Sequence, residues 1–473
     1  MDTARAAETV PADPELMPTL ADLAEGGTAY TNAFTSAPWT LPSHASLFTG
    51  TYASRHGAHG GHTYLDEEWT TLAELLAAEG YETVGISNNT WITEEFGFAR
   101  GFETFHKTWQ LLQSETDLGE VTRAEHARWK ARAFLSRAFS GNPIVNGVNA
   151  VYDQFLRDAD DDGAARTTRW ITEWLDGRGD DRPFFCFANY IEPHIEYRPP
   201  REFAEPHLPE GGYEEAIAIR QDPRAFDVGE YAISGREFDL LEGLYRGELA
   251  YLDSKLDELR EALKRADEWE DTVFVVCGDH GENVGDHGFF GHQYNVSDTL
   301  LHVPLVAHGG AFEPTTDEDE LVQLLDLFPT LLDLAGASAP AARRQSQGRS
   351  LLGNDSPRES VIAEYVSPQP SMEQLEERFG ELPESIYEYD RSLRAIRTEE
   401  YKLIRGSDGS EELYDVEQDP DERFDIASTE PAIAAGLGAE LDDWIASFEH
   451  AANGEAVEMT DATKGRLRDL GYL

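Results

Sequence analysis

The sequence predicts an α/β fold built around a mostly parallel central sheet. Up to about residue 340, apolar strand-like runs alternate with stretches of helical periodicity. Beyond that point, short strand candidates separated by turn residues replace the alternation. These two observations predict a larger α/β domain, residues 1–340, followed by a smaller part, residues 341–473, with a small antiparallel sheet and a helix.

The individual elements follow from the spacing of apolar residues along the chain. Recurrence every three to four positions, roughly one helical turn, predicts helices, and short β-branched or aromatic runs predict strands. In the larger domain we expect helices at 72–79, 165–175, 238–266 and 321–335, and strands at 83–87, 184–190 and 272–277. In the smaller part we expect strands at 394–398, 401–405 and 412–414, and a helix at 432–448.

The composition is strongly acidic, with 91 Asp and Glu against 38 Lys and Arg and a formal net charge of -53. Self-repulsion of this size opposes a compact state in dilute buffer. Molar salt shortens the Debye length to about 3 Å and removes most of the repulsion. The acidic residues are spread along the chain and 11% of residues are aromatic, so we predict a folded, halophilic protein rather than a disordered acidic tail. The absence of a basic stripe argues against a nucleic-acid partner.

Two features of the sequence bear on the compartment. The cysteines, Cys186 and Cys277, each lie in a strand-like run, which does not indicate a disulfide framework. No apolar run reaches the roughly 18 residues of a membrane span, and the N-terminal residues lack the pattern of a signal peptide. We therefore expect a cytoplasmic protein without a membrane span.

The first segment that suggests chemistry is Trp39-Thr40-Leu41-Pro42-Ser43-His44, which leads into a short helical run ending at Gly50. The Thr40 hydroxyl is placed to act as a nucleophile. Pro42 stiffens the turn, and we expect Ser43 to cap a helix that begins near Ala45, whose positive end favours an oxyanion. The alternative is a buried turn with an ordinary N-cap.

The second segment is Gly278-Asp279-His280-Gly281, at the end of a predicted strand. A carboxylate and an imidazole at a strand end can bind the same divalent metal ion. Asp-His-Gly alone is also common turn chemistry. The segment continues into further polar residues, and a purely structural loop rarely needs so many: Glu282, Asp286, His287 and His292.

Together these segments resemble the sulfatase family of the alkaline-phosphatase superfamily. The first is similar to the family signature Cys-x-Pro-Ser-Arg followed by a run ending in Thr-Gly. Other similar segments cover most of the chain: 87–89, 96–102, 190–197, 302–305, 325–331, 393–403, 412–415 and 470–472. The resemblance implies an alkaline-phosphatase-like three-layer fold and a metal-dependent hydrolase of sulfate esters.

The resemblance also implies roles for particular residues. One divalent ion, with Ca²⁺ usual in the family and Mg²⁺ or Mn²⁺ as alternatives, would be bound by a set of four residues: Asp2, Thr40, Asp279 and His280. His194 and His292 would be catalytic, facing the leaving group or the anionic oxygens, and Ser43 and His44 would bind substrate. Each histidine taken alone is more often an ordinary polar residue.

The chain departs from the family pattern at three places. Thr40 stands where family members have a Cys or Ser that is oxidised to formylglycine, and threonine cannot form that aldehyde. His44 stands where the signature has arginine, a fixed bidentate anion donor. The family's first apolar strand is missing before Asp2, so we expect the true start to lie upstream of Met1.

These departures leave three functional hypotheses. The first is a hydrolase of small-molecule or glycan sulfate esters. The second is a phosphoesterase or phosphotransferase that uses Thr40 directly, through a phospho-threonine that water must cleave. The third is a non-catalytic binding protein on the same scaffold.

The net charge generates a prediction about salt. We expect the melting temperature, followed by circular dichroism, to rise steeply as KCl is raised from low to molar concentration, because the ions screen repulsion among the surface carboxylates. Equal stability in dilute buffer would contradict the halophilic interpretation.

Overall fold

A computed structural model of the chain describes residues 1–109, 163–317, 320–353 and 357–451. The segment 470–472, which contributes to the family resemblance, lies outside these ranges. The strands are β1 (Thr28–Tyr30), β2 (Ala33–Phe34), β3 (Glu82–Ser87), β4 (Thr104–Lys107), β5 (Phe184–Ala188), β6 (Phe274–Cys277), β7 (Asn283–Val284), β8 (Phe290–Gly291), β9 (Leu305–His308), β10 (Thr315–Asp317), β11 (Val322–Gln323), β12 (Val361–Tyr365), β13 (Leu393–Arg397), β14 (Tyr401–Gly406) and β15 (Glu411–Asp415).

Helices of varied length connect these strands. They are α1 (Ala6–Thr9), α2 (Pro18–Gly26), α3 (Thr40–Thr49), α4 (Ala53–His56), α5 (Leu72–Ala78), α6 (Ala164–Gly177), α7 (Arg201–Ala204), α8 (Tyr213–Ala216), α9 (Pro223–Asp227), α10 (Gly235–Arg265), α11 (Asp298–Leu301), α12 (Leu327–Leu334), α13 (Pro340–Gln345), α14 (Met372–Phe379) and α15 (Pro431–Ala446). Capping boxes fix the starts of α5 at Thr71 and α10 at Ser234.

The larger domain contains both parallel and antiparallel strand pairs. One sheet has the order β4-β3-β5, with all strands parallel, and a second has the order β10-β1-β9-β6, in which β9 runs antiparallel to both neighbours. Helices α6 and α10 pack together beside the parallel strands. The predicted α/β architecture is confirmed. The sequence suggested mostly parallel strands, whereas β9 makes the second sheet a mixture of parallel and antiparallel pairs.

A cavity of about 890 Å³ is lined by residues of both sheets. Strands β5 and β6 both line it, and these two strands do not pair with each other. The first residues of the chain join their carboxyl ends: the Met1 ammonium donates to Cys277 O at 2.9 Å, and Asp2 N donates to Tyr190 O at 3.0 Å. Asp2 is therefore held between the ends of both strands.

The helix expected at 321–335 was predicted too long. Val322 and Gln323 form β11, which pairs parallel with β2, and α12 begins only at Leu327. The leucine-rich spacing hid the strand because a short buried strand and a buried helical turn give the same apolar run. Apart from the helix predicted to begin near Ala45, which begins at Thr40, the helices and strands predicted elsewhere agree with the structure to within a few residues.

The C-terminal sheet is antiparallel, as predicted, with the order β12-β13-β14-β15. The sequence interpretation missed β12. The sheet packs against the loop that precedes α3, since Glu364 N on β12 donates to Ser36 O at 2.9 Å. Glu364 also accepts from Ser54 N at 2.8 Å. The sheet thus supports the segment that carries Thr40.

A buried charge cluster ties this sheet to the larger domain. The Lys402 ammonium on β14 is fully buried and lies 2.7 Å from Asp298 Oδ1 and 2.6 Å from Glu422 Oε1. Asp298 also accepts from Arg397 Nε at 2.9 Å. Removing one member of such a cluster leaves the remaining charges buried and unpaired.

We therefore expect Lys402→Met to lower the free energy of unfolding by about 3–5 kcal/mol, measured by denaturant titration in high salt. Lys264→Met is the matched control, because Lys264 is exposed, pairs with Glu261 and lies 5.9 Å from the centroid of the Trp269 ring, and its loss should cost under about 1 kcal/mol. Equal effects of the two substitutions would contradict a structural role for the buried cluster.

Candidate active site

Asp2, Asp279 and His280 form a buried cluster of potential metal ligands. One ligand atom from each lies within 4.8 Å of the other two. His280 Nε2 is 3.7 Å from Asp2 Oδ1 and 3.6 Å from Asp279 Oδ2. Two carboxylates and an imidazole in this arrangement are a suitable donor set for a divalent cation.

Unsatisfied oxygens in the cluster fit a bound cation. Asp2 Oδ1 and Asp279 Oδ2 are buried and have no hydrogen-bond partner. Burying a carboxylate oxygen without a partner is costly, and a cation placed between the two would satisfy both. Burial, together with the nearby Asp279 charge, raises the pKa of Asp2 well above its ordinary value. A divalent ion would remove this conflict between the two carboxylates.

Hydrogen bonds with backbone atoms hold Asp279 and His280 in place. Asp279 N donates to Met1 O at 3.1 Å, and Asp279 Oδ1 accepts from Thr3 N at 3.1 Å. The His280 ring donates from Nδ1 to Gly281 O at 2.9 Å, which leaves the Nε2 lone pair directed at the cluster. The chain thus selects the tautomer that can bind a metal.

Thr40 lies at the start of α3 and contacts the same cluster. Its Oγ1 is 3.3 Å from His280 Nε2 and 3.3 Å from Asn89 Nδ2. Because Thr40 occupies the first turn of the helix, the unpaired amides there favour negative charge at its hydroxyl. The structure brings together the four residues predicted to bind metal: Asp2, Thr40, Asp279 and His280.

The expectation that Ser43 caps a helix beginning near Ala45 was wrong. Helix α3 begins at Thr40, with Trp39 as its N-cap residue. Pro42 fits within the first turn because the amide that it lacks would have no helical partner there. The Ser43 hydroxyl instead donates to Asp279 O at 2.7 Å, which links the segment that carries Thr40 to the one that carries His280. Its substrate-binding role stays a prediction.

Asn89 is a site residue that the sequence interpretation missed. It is fully buried, and its Nδ2 donates to Asp2 Oδ2 at 2.6 Å as well as to Thr40 Oγ1. The available signal was its position just after β3, because parallel strands place their carboxyl ends at one edge of a sheet. Asn89 therefore holds Asp2 and Thr40 in one hydrogen-bonded group.

His194 and His292 lie next to the cluster. The His292 ring centroid is 4.7 Å from that of His280 and 5.3 Å from that of His194. Burial lowers the pKa of both His194 and His292 to about 4, so both rings are neutral near pH 7. Their placement agrees with the predicted catalytic roles, which remain predictions.

Glu282 is a second site residue whose role the sequence interpretation did not assign. Its Oε1 lies 2.8 Å from His292 Nδ1, and the carboxyl group is fully buried. Burial raises the pKa of Glu282 to about 7. The Glu282–His292 pair can therefore hold a proton at neutral pH and release it nearby.

His44 lies one helical turn beyond Thr40 and borders the cavity. Its Nδ1 donates to Thr40 O at 2.9 Å and lies 3.5 Å from Asp279 Oδ2. Burial lowers the pKa of His44, so the ring is neutral at pH 7 and carries no fixed positive charge. If His44 binds substrate, Nε2 is the nitrogen left to do so.

The fold and this site define a hydrolase of the alkaline-phosphatase-like class. The chain belongs to the sulfatase family: the family model "Sulfatase" matches residues 1–337, and the model "N-sulphoglucosamine sulphohydrolase, C-terminal" matches residues 285–446. This membership confirms the family and fold predicted from the sequence.

Individual proteins resemble the chain over most of its length. It is 23% identical to arylsulfatase K of Canis lupus familiaris, over 88% of this chain and 75% of that protein. It is 27% identical to choline-sulfatase of Rhizobium meliloti, over 96% of this chain and 86% of that protein. The structure of a phosphonate monoester hydrolase of Agrobacterium radiobacter superposes with a TM-score of 0.68 at 19% identity, over 95% of each chain. No helix in the described part of the chain is long and apolar enough to cross a membrane.

The cluster geometry predicts that the chain binds a divalent cation. We expect calorimetric titration of the chelator-treated protein with Ca²⁺ to show about one tight site per chain, and we expect Asp279→Asn to weaken that binding at least about tenfold. Asp180→Asn, which changes a carboxylate at the surface, should bind as the parent does. Unaltered binding by Asp279→Asn would exclude this cluster as the metal site.

Proposed function

We propose that the protein is a metal-dependent hydrolase of sulfate esters that uses the Thr40 hydroxyl itself as the nucleophile. The observation that carries the proposal is the position of Thr40 Oγ1, at a helix start and 3.3 Å from His280 in the cluster of buried ligands. We propose that the ion is Ca²⁺ and that four residues bind it: Asp2, Thr40, Asp279 and His280. When bound, the cation would polarise the ester and favour the ionised hydroxyl.

In the first step, the Thr40 hydroxyl releases its proton to solvent, Thr40 Oγ attacks the sulfur, and the bond from sulfur to the ester oxygen breaks. Asn89 holds the hydroxyl in position for this attack, and the first turn of α3 stabilises the negative charge that develops. The leaving alcohol needs a proton. The Glu282–His292 pair supplies it, because burial raises the pKa of Glu282 to about 7 and lets the carboxyl group carry a proton.

In the second step, water must cleave the sulfo-threonine. A neutral histidine can take the proton of that water, and both His194 and His292 are neutral at the working pH. Water attacks the sulfur, the Thr40 oxygen leaves and recovers a proton, and sulfate is released. Each turnover therefore consumes one ester and one water and restores Thr40.

The second candidate substrate class is phosphate or phosphonate monoesters. The residue that favours it is again Thr40, because an unmodified hydroxyl lacks the hemiacetal exit by which formylglycine enzymes release sulfate. The fold shared with a phosphonate monoester hydrolase is compatible with this class. A non-catalytic role has less support, since the buried carboxylates, His280 and Thr40 lie together.

Substitution of Thr40 tests the proposed nucleophile. Thr40→Ala should lower kcat to background with both sulfate and phosphate esters while leaving the circular dichroism spectrum unchanged, because the attacking oxygen is removed. Thr40→Ser keeps the hydroxyl and should retain partial activity, since it loses only a methyl group that restricts the side chain.

Mass spectrometry of the resting protein should find Thr40 unmodified, and phosphate esters should be turned over at least as well as sulfate esters. A fully active Thr40→Ala variant would show that a metal-bound water or another residue attacks, and would overturn the assignment.

A further inference from the structure

Arg224 is a buried guanidinium to which the described residues offer no hydrogen bond or salt bridge, and the mechanism above does not use it. It lies on α9 with 2% of its surface exposed. Its Nε has no hydrogen-bond partner, and no residue in the described ranges forms a salt bridge with it. A cation without a partner at this depth is costly, so its presence calls for a ligand or a compensating charge.

The chain places Arg224 beside the active site. The preceding residue, Pro223, packs on Gly291, where an added Cβ would lie 3.0 Å from Pro223 Cβ. Gly291 directly precedes His292, and Phe226 on α9 contacts the ring of Phe290 at 6.0 Å between centroids. The charge of Arg224 is close enough to lower the pKa of His292 further, beyond the effect of burial.

The acidic groups around Arg224 do not neutralise it. Asp222 forms its short contacts elsewhere, with Arg220 at 2.9 Å and Arg378 at 2.9 Å. Asp227 lies on the same helix, but burial raises its pKa well above the ordinary value, which favours its neutral form. Burial lowers the pKa of Arg224 only to about 10, so the guanidinium is cationic at neutral pH.

The segment 39–50, which carries Thr40, contains no lysine or arginine. His44 stands at the position of the signature arginine and is neutral because it is buried. A guanidinium offers a planar set of donors that matches carboxylate and sulfonate oxygens. Arg224 supplies such donors from α9, near His292 rather than next to Thr40.

We propose that Arg224 binds a second anionic group, a carboxylate, on the organic part of the substrate while the ester group lies at Thr40. This inference rests on the proposed hydrolase function and narrows its substrates to esters that carry an additional negative charge. Arg224 is thereby a specificity residue rather than a participant in bond cleavage.

Two chromogenic esters test the proposal: 4-nitrophenyl sulfate and its analogue with a carboxylate on the ring. In Arg224→Met, kcat/KM for the carboxylated ester should fall about 10- to 100-fold, the loss typical of a charged hydrogen bond, and kcat/KM for the plain ester should change less than about twofold. Arg224→Lys should recover part of the loss, since it restores the charge without the planar fork.

Arg378→Met is the matched control, because Arg378 is an exposed neighbour that pairs with Asp222, and both esters should behave as with the parent. A ring-sulfonate analogue distinguishes carboxylate recognition from general anion binding. An equal loss with both esters, or no loss with either, would overturn the proposal. Circular dichroism confirms that each variant is folded.

Binding of the carboxylated phenol product separates this proposal from the proposed function. If the parent protein hydrolyses neither ester, the hydrolase proposal fails. Calorimetric measurement of phenol binding then still tests whether Arg224 recognises the carboxylate. The carboxylated phenol should bind the parent at least about tenfold more tightly than the plain phenol, and Arg224→Met should abolish that preference. If the parent and Arg224→Met prefer the carboxylated phenol over the plain phenol to the same degree, the proposed role of Arg224 is wrong.

Discussion

The site depends on two carboxylates, Asp2 and Asp279, that the fold buries within reach of one imidazole. Each carboxylate has one buried oxygen with no hydrogen-bond partner, Asp2 Oδ1 and Asp279 Oδ2, and a cation between them would satisfy both. Because Asp2 lies between the ends of β5 and β6, the cluster also joins elements from the two sheets. The cluster of potential metal ligands is therefore also a structural junction of the larger domain.

The remaining parts of the site are arranged around this junction. The start of α3 brings Thr40 to His280, Asn89 links Thr40 to Asp2, and Ser43 bonds to the backbone of Asp279. The C-terminal sheet packs behind the loop that leads into α3, through Glu364. A buried ion cluster around Lys402 anchors that sheet to the larger domain, so the support behind Thr40 is fixed in place.

The sequence predicted the fold class and most elements because apolar spacing is local information. It also pointed to Asp279, His280 and Thr40, which lie in recognisable segments. It could not locate Asn89, whose role arises only when β3 brings it beside Asp2. The Glu282–His292 pair and the isolation of Arg224 likewise depend on contacts between distant segments. Ser43 was misassigned because its partner, Asp279, lies 236 residues away.

The central claim is that an unmodified threonine forms the covalent intermediate. The most direct test is rapid acid quenching of the protein during turnover of an activated phosphate or sulfate ester. Peptide mass spectrometry of the quenched protein then shows whether the intermediate has formed. We expect the peptide containing Thr40 to gain one phosphoryl or sulfo group at that residue, and the gain to disappear once substrate is exhausted. Full turnover with no modified Thr40 at any quench time, or modification at another residue, would contradict the account.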